Sequence, residues 1–370
     1  MLTRSGSTGV FSACRHPVSP AFHLSRPHGQ YRDRRDAWGV RLIGVGYAGF
    51  MPESEKQRRV VGSVLLLVTA LIWGFAFVSQ VQGMQSMSPA FFNAIRFTLG
   101  AASLFPVLLL SSRTRARRAG DERQPAGRRG RLVLWSCVCG LVLWAGATSQ
   151  QIGVQMSMSA GHSGFVTALY IVLVPVLGFL FLHRRIHVLT VSAIIVSVIG
   201  FYLLCVTDGI RNVGTGDLVL LASAVLYATH ILVIDRVGDR LDPLELSLGQ
   251  YLVVSLLSWG MTLSLHQVDW RGALACAGAV AYAGIMSVGV AYTLQVVGQR
   301  YVPPSQASMI MSLESLFSAV GGALILHETM TGRAYAGCAL IFLGTILAQI
   351  DPERLLNRIF QDDSQQQAIQ

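Results

Sequence analysis

From residue 60 to residue 350 the chain repeats one pattern: a run of about twenty apolar residues, a short polar break, then another run. Helical residues rise about 1.5 Å each, so a run of that length crosses a hydrocarbon core of roughly 30 Å. Ten runs are readable, at 60–81, 89–111, 132–151, 160–182, 186–206, 216–236, 243–265, 271–297, 305–327 and 331–350. Stretches such as 64–68 and 171–182 are apolar on every face, whereas helices around a soluble core carry a polar outer face. The pattern predicts an all-α integral membrane protein of ten transmembrane helices.

The breaks hold the arginines. The longest, between the second and third runs, carries Arg113, Arg115, Arg117, Arg118, Arg123, Arg128, Arg129 and Arg131. Every second break continues the series with Arg184 and Arg185, Arg236 and Arg240, and Arg300, while Lys56, Arg58 and Arg59 precede the first run and Arg354 and Arg358 follow the last. Only Arg211, Arg271 and Arg333 fall on the other side. This partition follows the positive-inside rule and predicts a multi-pass plasma-membrane protein with both termini cytoplasmic.

Composition agrees with that reading and narrows the function classes. The chain is 52% hydrophobic and 13% charged, and its formal charge of +10 sits at the ends of apolar runs rather than on a groove-sized face, so no nucleic-acid partner is expected. Lys56 is the sole lysine, which excludes a G-x-x-x-x-G-K-[ST] phosphate loop and direct nucleotide-driven pumping by this polypeptide. The cysteines Cys14, Cys137, Cys139, Cys205, Cys276 and Cys338 lack metal-ligand spacing, and Cys137 and Cys139 point to different faces of one helix. No metal or cofactor is expected. Residues 1–55 are Arg-, Ser-, Gly- and Pro-rich without a spanning run, and read as an N-terminal extension outside the fold. They suit either a transit peptide or sequence upstream of a true start at Met51, and the second is favoured here because Met51 leads into a short polar tail. Residues 351–370 read as a cytoplasmic tail.

The halves match when slid against each other. At an offset of 154, Gly62 meets Gly216, Trp73 meets Tyr227, Ser88-Pro89 meets Asp242-Pro243 and Phe97 meets Tyr251. At an offset of 144, Gln151 meets Gln295, Gln155 meets Gln299, Gly178 meets Gly322 and His183 meets His327. The ten-residue difference falls in the long arginine break, where an insertion costs little. The repeats at 60–206 and 216–350 hold five runs each, an odd number, so the second enters the membrane inverted. Two inverted five-helix repeats suit a secondary transporter, whose halves rock about one central site.

These residues also resemble a known family. The run Leu313-Glu314-Ser315-Leu316-Phe317 followed by Leu326-His327-Glu328-Thr329 and Gly337, with Leu169-Tyr170-Ile171-Val172-Leu173-Val174-Pro175 in the first half, is similar to the duplicated EamA domain of the drug/metabolite transporter superfamily. Leu71-Ile72-Trp73-Gly74 and Asn93-Ala94-Ile95-Arg96-Phe97 fit the same pattern, and the likeness covers residues 60–350. It implies a 5+5 helical fold with a central cavity and gradient-driven movement, commonly export, of small polar or amphipathic metabolites. The chain departs from the family at Ser315, where a proline is usual, and at His183-Arg184-Arg185, where the first half often ends in an acid.

Within the spans the candidate chemistry is sparse. A charge at membrane depth costs at least about 2.5 kcal/mol and needs a partner or a wet cavity. Glu314, near the midplane of the ninth span, and Arg96, in the second, stand out. Glu314 either binds a cationic substrate group or a coupling proton, or forms a structural ion pair with Arg96. Asn93, Gln151, Gln155, Gln250, Gln295 and Gln299 suit either a wet interior or interhelical hydrogen bonds. His230 reads as a proton relay or a hydrogen-bonded structural histidine. Trp73, Tyr170, Tyr227, Tyr251 and Tyr292 either shape the cavity or face lipid. Ala275, Ala279, Ala283, Ser287 and Ala291 recur every fourth residue, a small-residue stripe that reads as close helix packing.

The function expected is a secondary transporter, not an enzyme, moving a small metabolite (an amino acid, drug-like or other polar solute) by alternating access, as an exporter driven by a proton or substrate gradient. Its expected partners are that small-molecule solute and membrane lipid, with a homodimer left open. An intramembrane enzyme is the alternative, yet H-E-x-x-H, G-x-S-x-G and a facing carboxylate pair are all absent from the sequence.

Overall fold

A computed structural model describes residues 55–119, 127–182, 188–205, 214–238 and 240–349. The N-terminal extension with Met51, Arg123, the break at His183-Arg184-Arg185, Arg211 and the tail with Arg354 and Arg358 lie outside the described residues.

The described chain is helical throughout, with no strand among these residues. The helices are α1 (Glu55–Met84), α2 (Pro89–Ala119), α3 (Arg128–Ser157), α4 (Ala160–Thr167), α5 (Tyr170–Leu182), α6 (Val188–Cys205), α7 (Thr215–Val237) and α8 (Pro243–Ser264). They continue with α9 (Trp270–Ala275), α10 (Ala277–Ala281), a π-helix (Tyr282–Tyr292), α11 (Thr293–Gly298), α12 (Pro304–Met311), α13 (Glu314–Ile325) and α14 (Gly332–Gln349). Among the described residues, eight helical stretches of 22 to 30 residues are long and apolar enough to cross a membrane, and the shorter apolar helices Val191–Gly200 and Gly332–Gly344 complete two sets of five. Spans one to three are α1 to α3, span four is α4 with α5, and span five is α6. Spans six and seven are α7 and α8, span eight runs from α9 to α11, span nine is α12 with α13, and span ten is α14. The outer surface is apolar, with Leu274 76% and Leu256 74% exposed, a pattern that lipid rather than water covers.

The repeat is visible in element boundaries. Helices α4 and α12 start and stop one 144-residue offset apart, and α5 and α13 start on the same register. Helix contacts come in matching pairs too: α3 packs on α7 as α1 packs on the π-helix and α11, and α3 packs on α8 as α2 packs on the π-helix. A Cβ at Gly140 would stand 2.6 Å from Val253 Cβ and 3.1 Å from the Gln250 carbonyl, and one at its mate Gly284 would stand 2.6 Å from Leu99 Cβ and 3.1 Å from the Arg96 carbonyl. Helices α6 and α14 pair with each other directly. Gly200 rests on the Gly337 carbonyl and the Ile341 amide, while its mate Gly344 rests on the Ala193 carbonyl and the Ser197 amide. Numbers rise along one helix as they fall along the other, so the two five-helix sets are inverted.

The unbroken helices expected for spans four, eight and nine are not what the chain forms. Spans four and nine break at repeat-related positions, 168–169 and 312–313. At the first break the backbone tightens, with Leu169 N–H donating to the Val166 carbonyl and Ile171 N–H to Ala168, and Pro175 removes the donor that the Ile171 carbonyl would otherwise meet. Span nine lacks that proline and uses serines. The hydroxyls of Ser312, Ser315 and Ser318 each donate over 2.8 Å to the carbonyl three residues back, so these polar side chains are bonded within the span rather than left bare.

Backbone atoms fill the space a side chain would need at Gly200, 2.7 Å from the Gly337 carbonyl, so Gly200→Val is expected to cost about 1–3 kcal/mol by overpacking. Gly260→Ala, with nothing within 4 Å of its Cβ, is expected to be neutral or slightly stabilising. Thermal unfolding of the detergent-solubilised protein measures both.

Candidate functional site

The two breaks expose helix starts at the centre of the bundle. Tyr170 is the first residue of α5 and Glu314 the first of α13, and the repeat makes them mates. Both face one cavity. Two further mated pairs line it, Trp73 with Tyr227 and Phe77 with Ile231, so the cavity straddles the pseudo-two-fold axis between the halves.

Its charges break that symmetry. Glu314, 4% exposed, lies against the Tyr170 hydroxyl. Arg96, 2% exposed on α2, holds its guanidinium 5.5 Å from the Phe92 ring centre and 5.2 Å from that of Phe97. Two of its nitrogens, Nε and Nη2, have no hydrogen-bond partner. Among the described residues no ion pair joins Arg96 to Glu314, although both line the one cavity. The structural ion pair weighed as one reading of Glu314 is therefore not formed. The mates of these residues are neutral: Gln250 for Arg96 and Tyr170 for Glu314.

Aromatic and amide groups form the rest of the wall. Tyr292 donates its hydroxyl to Tyr227 over 3.3 Å, and Tyr227 donates to Gln150 Oε1 over 3.1 Å, a chain linking spans eight, six and three. The Trp73 ring meets Tyr292 edge-on at 4.7 Å, and its Nε1 donates over 3.2 Å to the Ser287 carbonyl. That carbonyl belongs to the π-helix, whose wider turn leaves backbone oxygens open to side chains, and Ala291 likewise accepts from Thr69 over 3.3 Å. The small-residue stripe packs as expected at Ala283 and Ala291, which are fully buried, but Ser287 also reaches the cavity.

Of the chemical candidates singled out by sequence, Glu314, Arg96, Trp73, Tyr170, Tyr227, Tyr292 and Gln295 meet at the cavity, and Tyr251 is buried outside its lining. Gln151 does not line it; its Nε2 donates to the Gln80 carbonyl over 3.4 Å, and its neighbour Gln150 faces the cavity instead. Gln155 is exposed, Gln299 is buried away from the cavity, and Asn93 is fully buried with both amide atoms unpartnered. His230 and Gln250 bond to each other over 3.0 Å behind Tyr292. Sequence reasoning missed Phe77, Ile231, Gln80, Gln150 and Thr167. The repeat offset could have found Phe77 and Ile231, which are mates one helical turn beyond Trp73 and Tyr227.

Comparison with known proteins identifies both halves. The profile of the EamA-like transporter family matches residues 60–206 and again 214–349. An uncharacterized transporter of Archaeoglobus fulgidus is 26% identical over 300 residues, covering 80% of this chain and 88% of its own. The threonine/homoserine exporter RhtA of Salmonella typhimurium is 26% identical over 152 residues, 40% of this chain and half of its own length. A solved crystal structure superposes with a TM-score of 0.59 at 19% identity, covering 80% of this chain and 98% of that one, and shows the same fold.

Because Arg96 and Glu314 are buried without pairing to each other, neutralising either one alone, as Arg96→Met or Glu314→Gln, is expected to leave the ligand-free protein as stable or more stable. Breaking a buried ion pair would instead cost about 3–5 kcal/mol. Melting temperatures of the two variants without ligand decide between these outcomes.

Proposed function

The chain belongs to the EamA-like transporter family, as a multi-pass membrane transporter, and from that premise we propose that it exports small zwitterionic metabolites of the α-amino acid class by alternating access. The observation that carries this reading is the pair of opposite, mutually unpaired charges on one buried cavity. A substrate carboxylate matches the planar donor fork of Arg96, and its ammonium matches the Glu314 carboxylate. A bound solute then pairs with both charges, which offsets the cost of holding them in a low dielectric.

Trp73, Tyr170, Tyr227 and Tyr292 offer ring faces to the ammonium and apolar surface to a side chain, and Gln80, Gln150 and Gln295 offer amides to any hydroxyl. The RhtA relative, named as a threonine/homoserine exporter, supports both the substrate class and the direction.

Coupling follows from Glu314 having one carboxylate. It cannot hold a proton and a substrate ammonium together, so each displaces the other and the carrier exchanges one for the other across the membrane. The two inverted halves rock about the cavity to present it to either side. The arginine-rich breaks support a plasma-membrane orientation with both termini cytoplasmic.

Purified protein in liposomes loaded with unlabelled threonine is expected to accumulate labelled threonine by counterflow, with no product formed. Arg96→Gln is expected to raise the KM at least about tenfold, the loss of a charge-assisted hydrogen bond. Glu314→Gln is expected to lose acceleration by an imposed proton gradient. A Glu314→Gln protein that exchanges at the wild-type rate with unchanged pH dependence would refute the coupling role.

A further inference from the structure

Outside the cavity, one carboxylate crosses between the halves. Glu328 follows span nine in a turn fixed by two hydrogen bonds to the Gly322 carbonyl, from Leu326 N–H over 3.0 Å and from Glu328 N–H over 3.1 Å, with His327 in the left-handed region at φ 54°. The turn aims Glu328 at the first turn of α4 in the other half. Its carboxylate accepts from Ala160 N–H over 2.7 Å, from Gly161 N–H over 3.2 Å and from the Ser159 hydroxyl over 2.9 Å. Next to it, His162 Nε2 on α4 meets Asp217 Oδ1 at the start of α7, 2.6 Å away. Acidic residues from spans six and nine thus fasten the same end of α4.

Helix α4 is a short rod between this clamp and the break at 168–169, and Thr167 at its far end lines the cavity. A rod held at one end and hinged at the other can swing only when the clamp lets go. The sequence does not repeat this arrangement at the mated positions. The repeat mates of Ser159 and Ala160 are Pro303 and Pro304, which have no N–H to give, and the mate of Glu328 is Arg184, which cannot accept.

We propose that Glu328 is the latch of one of the two gates: it holds α4 shut over the cavity on the face bearing the 326–331 turn, and its release opens the cavity on that face alone. On the topology given above this is the outer face. The inference rests on the transport reading for its purpose, and one arm of its test needs no substrate, so the two can fail separately.

In the first arm, Thr167→Cys is labelled with a membrane-impermeant thiol reagent applied to the latch face, against the parent lacking this cysteine. Adding Glu328→Ala is expected to raise the labelling rate at least about tenfold, since charge-assisted hydrogen bonds to the helix end are lost. An unchanged rate in folded, monodisperse Glu328→Ala protein would overturn the latch, whether or not any solute is transported. In the second arm, Ser159→Cys and Glu328→Cys are joined by a short cleavable bifunctional reagent in liposomes. Cross-linking is expected to cut exchange more than tenfold and cleavage to restore it; a helix cap without a gating role would leave exchange the same before and after linkage, and that result would overturn the proposal. If the cysteine pair is inactive before linkage, the labelling arm decides.

Discussion

Hydrocarbon offers no hydrogen bonds, so every backbone N–H and C=O within the membrane must be satisfied by the protein, and irregular backbone survives only where it is buried in protein or borders a wet cavity. This chain departs from the α-helix at membrane depth in spans four, eight and nine, and the residues at all three departures line one cavity. Side chains bond to the backbone around these departures: serine hydroxyls at the break in span nine, and Trp73 and Thr69 against the π-helix. The position of the site follows from where helices can afford to break.

Duplication supplies the frame, and departures from it supply the chemistry. Mated helices break on the same register, and mated aromatics form opposite walls. The two charges come one from each half, each opposite a neutral mate, so the cavity is geometrically two-fold but electrically polar. A symmetric pair of carboxylates or guanidiniums would repel and favour a doubly charged solute, whereas one of each sign suits a zwitterion. The faces are likewise unequal, since prolines 303 and 304 deny one gate the hydrogen bonds that Ser159 and Ala160 give the other.

The spans, the inversion and the two buried charges were legible because each answers to a strong rule: length against bilayer thickness, parity of spans, and the cost of charge in lipid. What was not legible depends on rotation and local bonding. Gln150 and Gln151 are adjacent on one helix, about 100° apart, and which of them meets the cavity is settled by how α3 seats on α7. Ser312, Ser315 and Ser318 look like ordinary polar residues until the broken turn shows their hydroxyls bonded three residues back. The π-helix has no counterpart in span three, which is α-helical at the mated positions, so the repeat itself argues for the wrong geometry there. Asn93, His230 and Gln250 read as cavity residues because they are polar in apolar spans, yet His230 and Gln250 bond to each other one layer out.

Inverted halves sharing one cavity are the foundation of this account, and mated turns test them most directly. Ser86 and Arg240 are repeat mates in the turns after spans one and six. Single cysteines at these two positions, exposed to a membrane-impermeant thiol reagent in intact cells, are predicted to react from opposite sides, Ser86→Cys from outside and Arg240→Cys only after the membrane is opened. Reaction of both from the same side would contradict the inversion, and with it the shared cavity and the exchange mechanism.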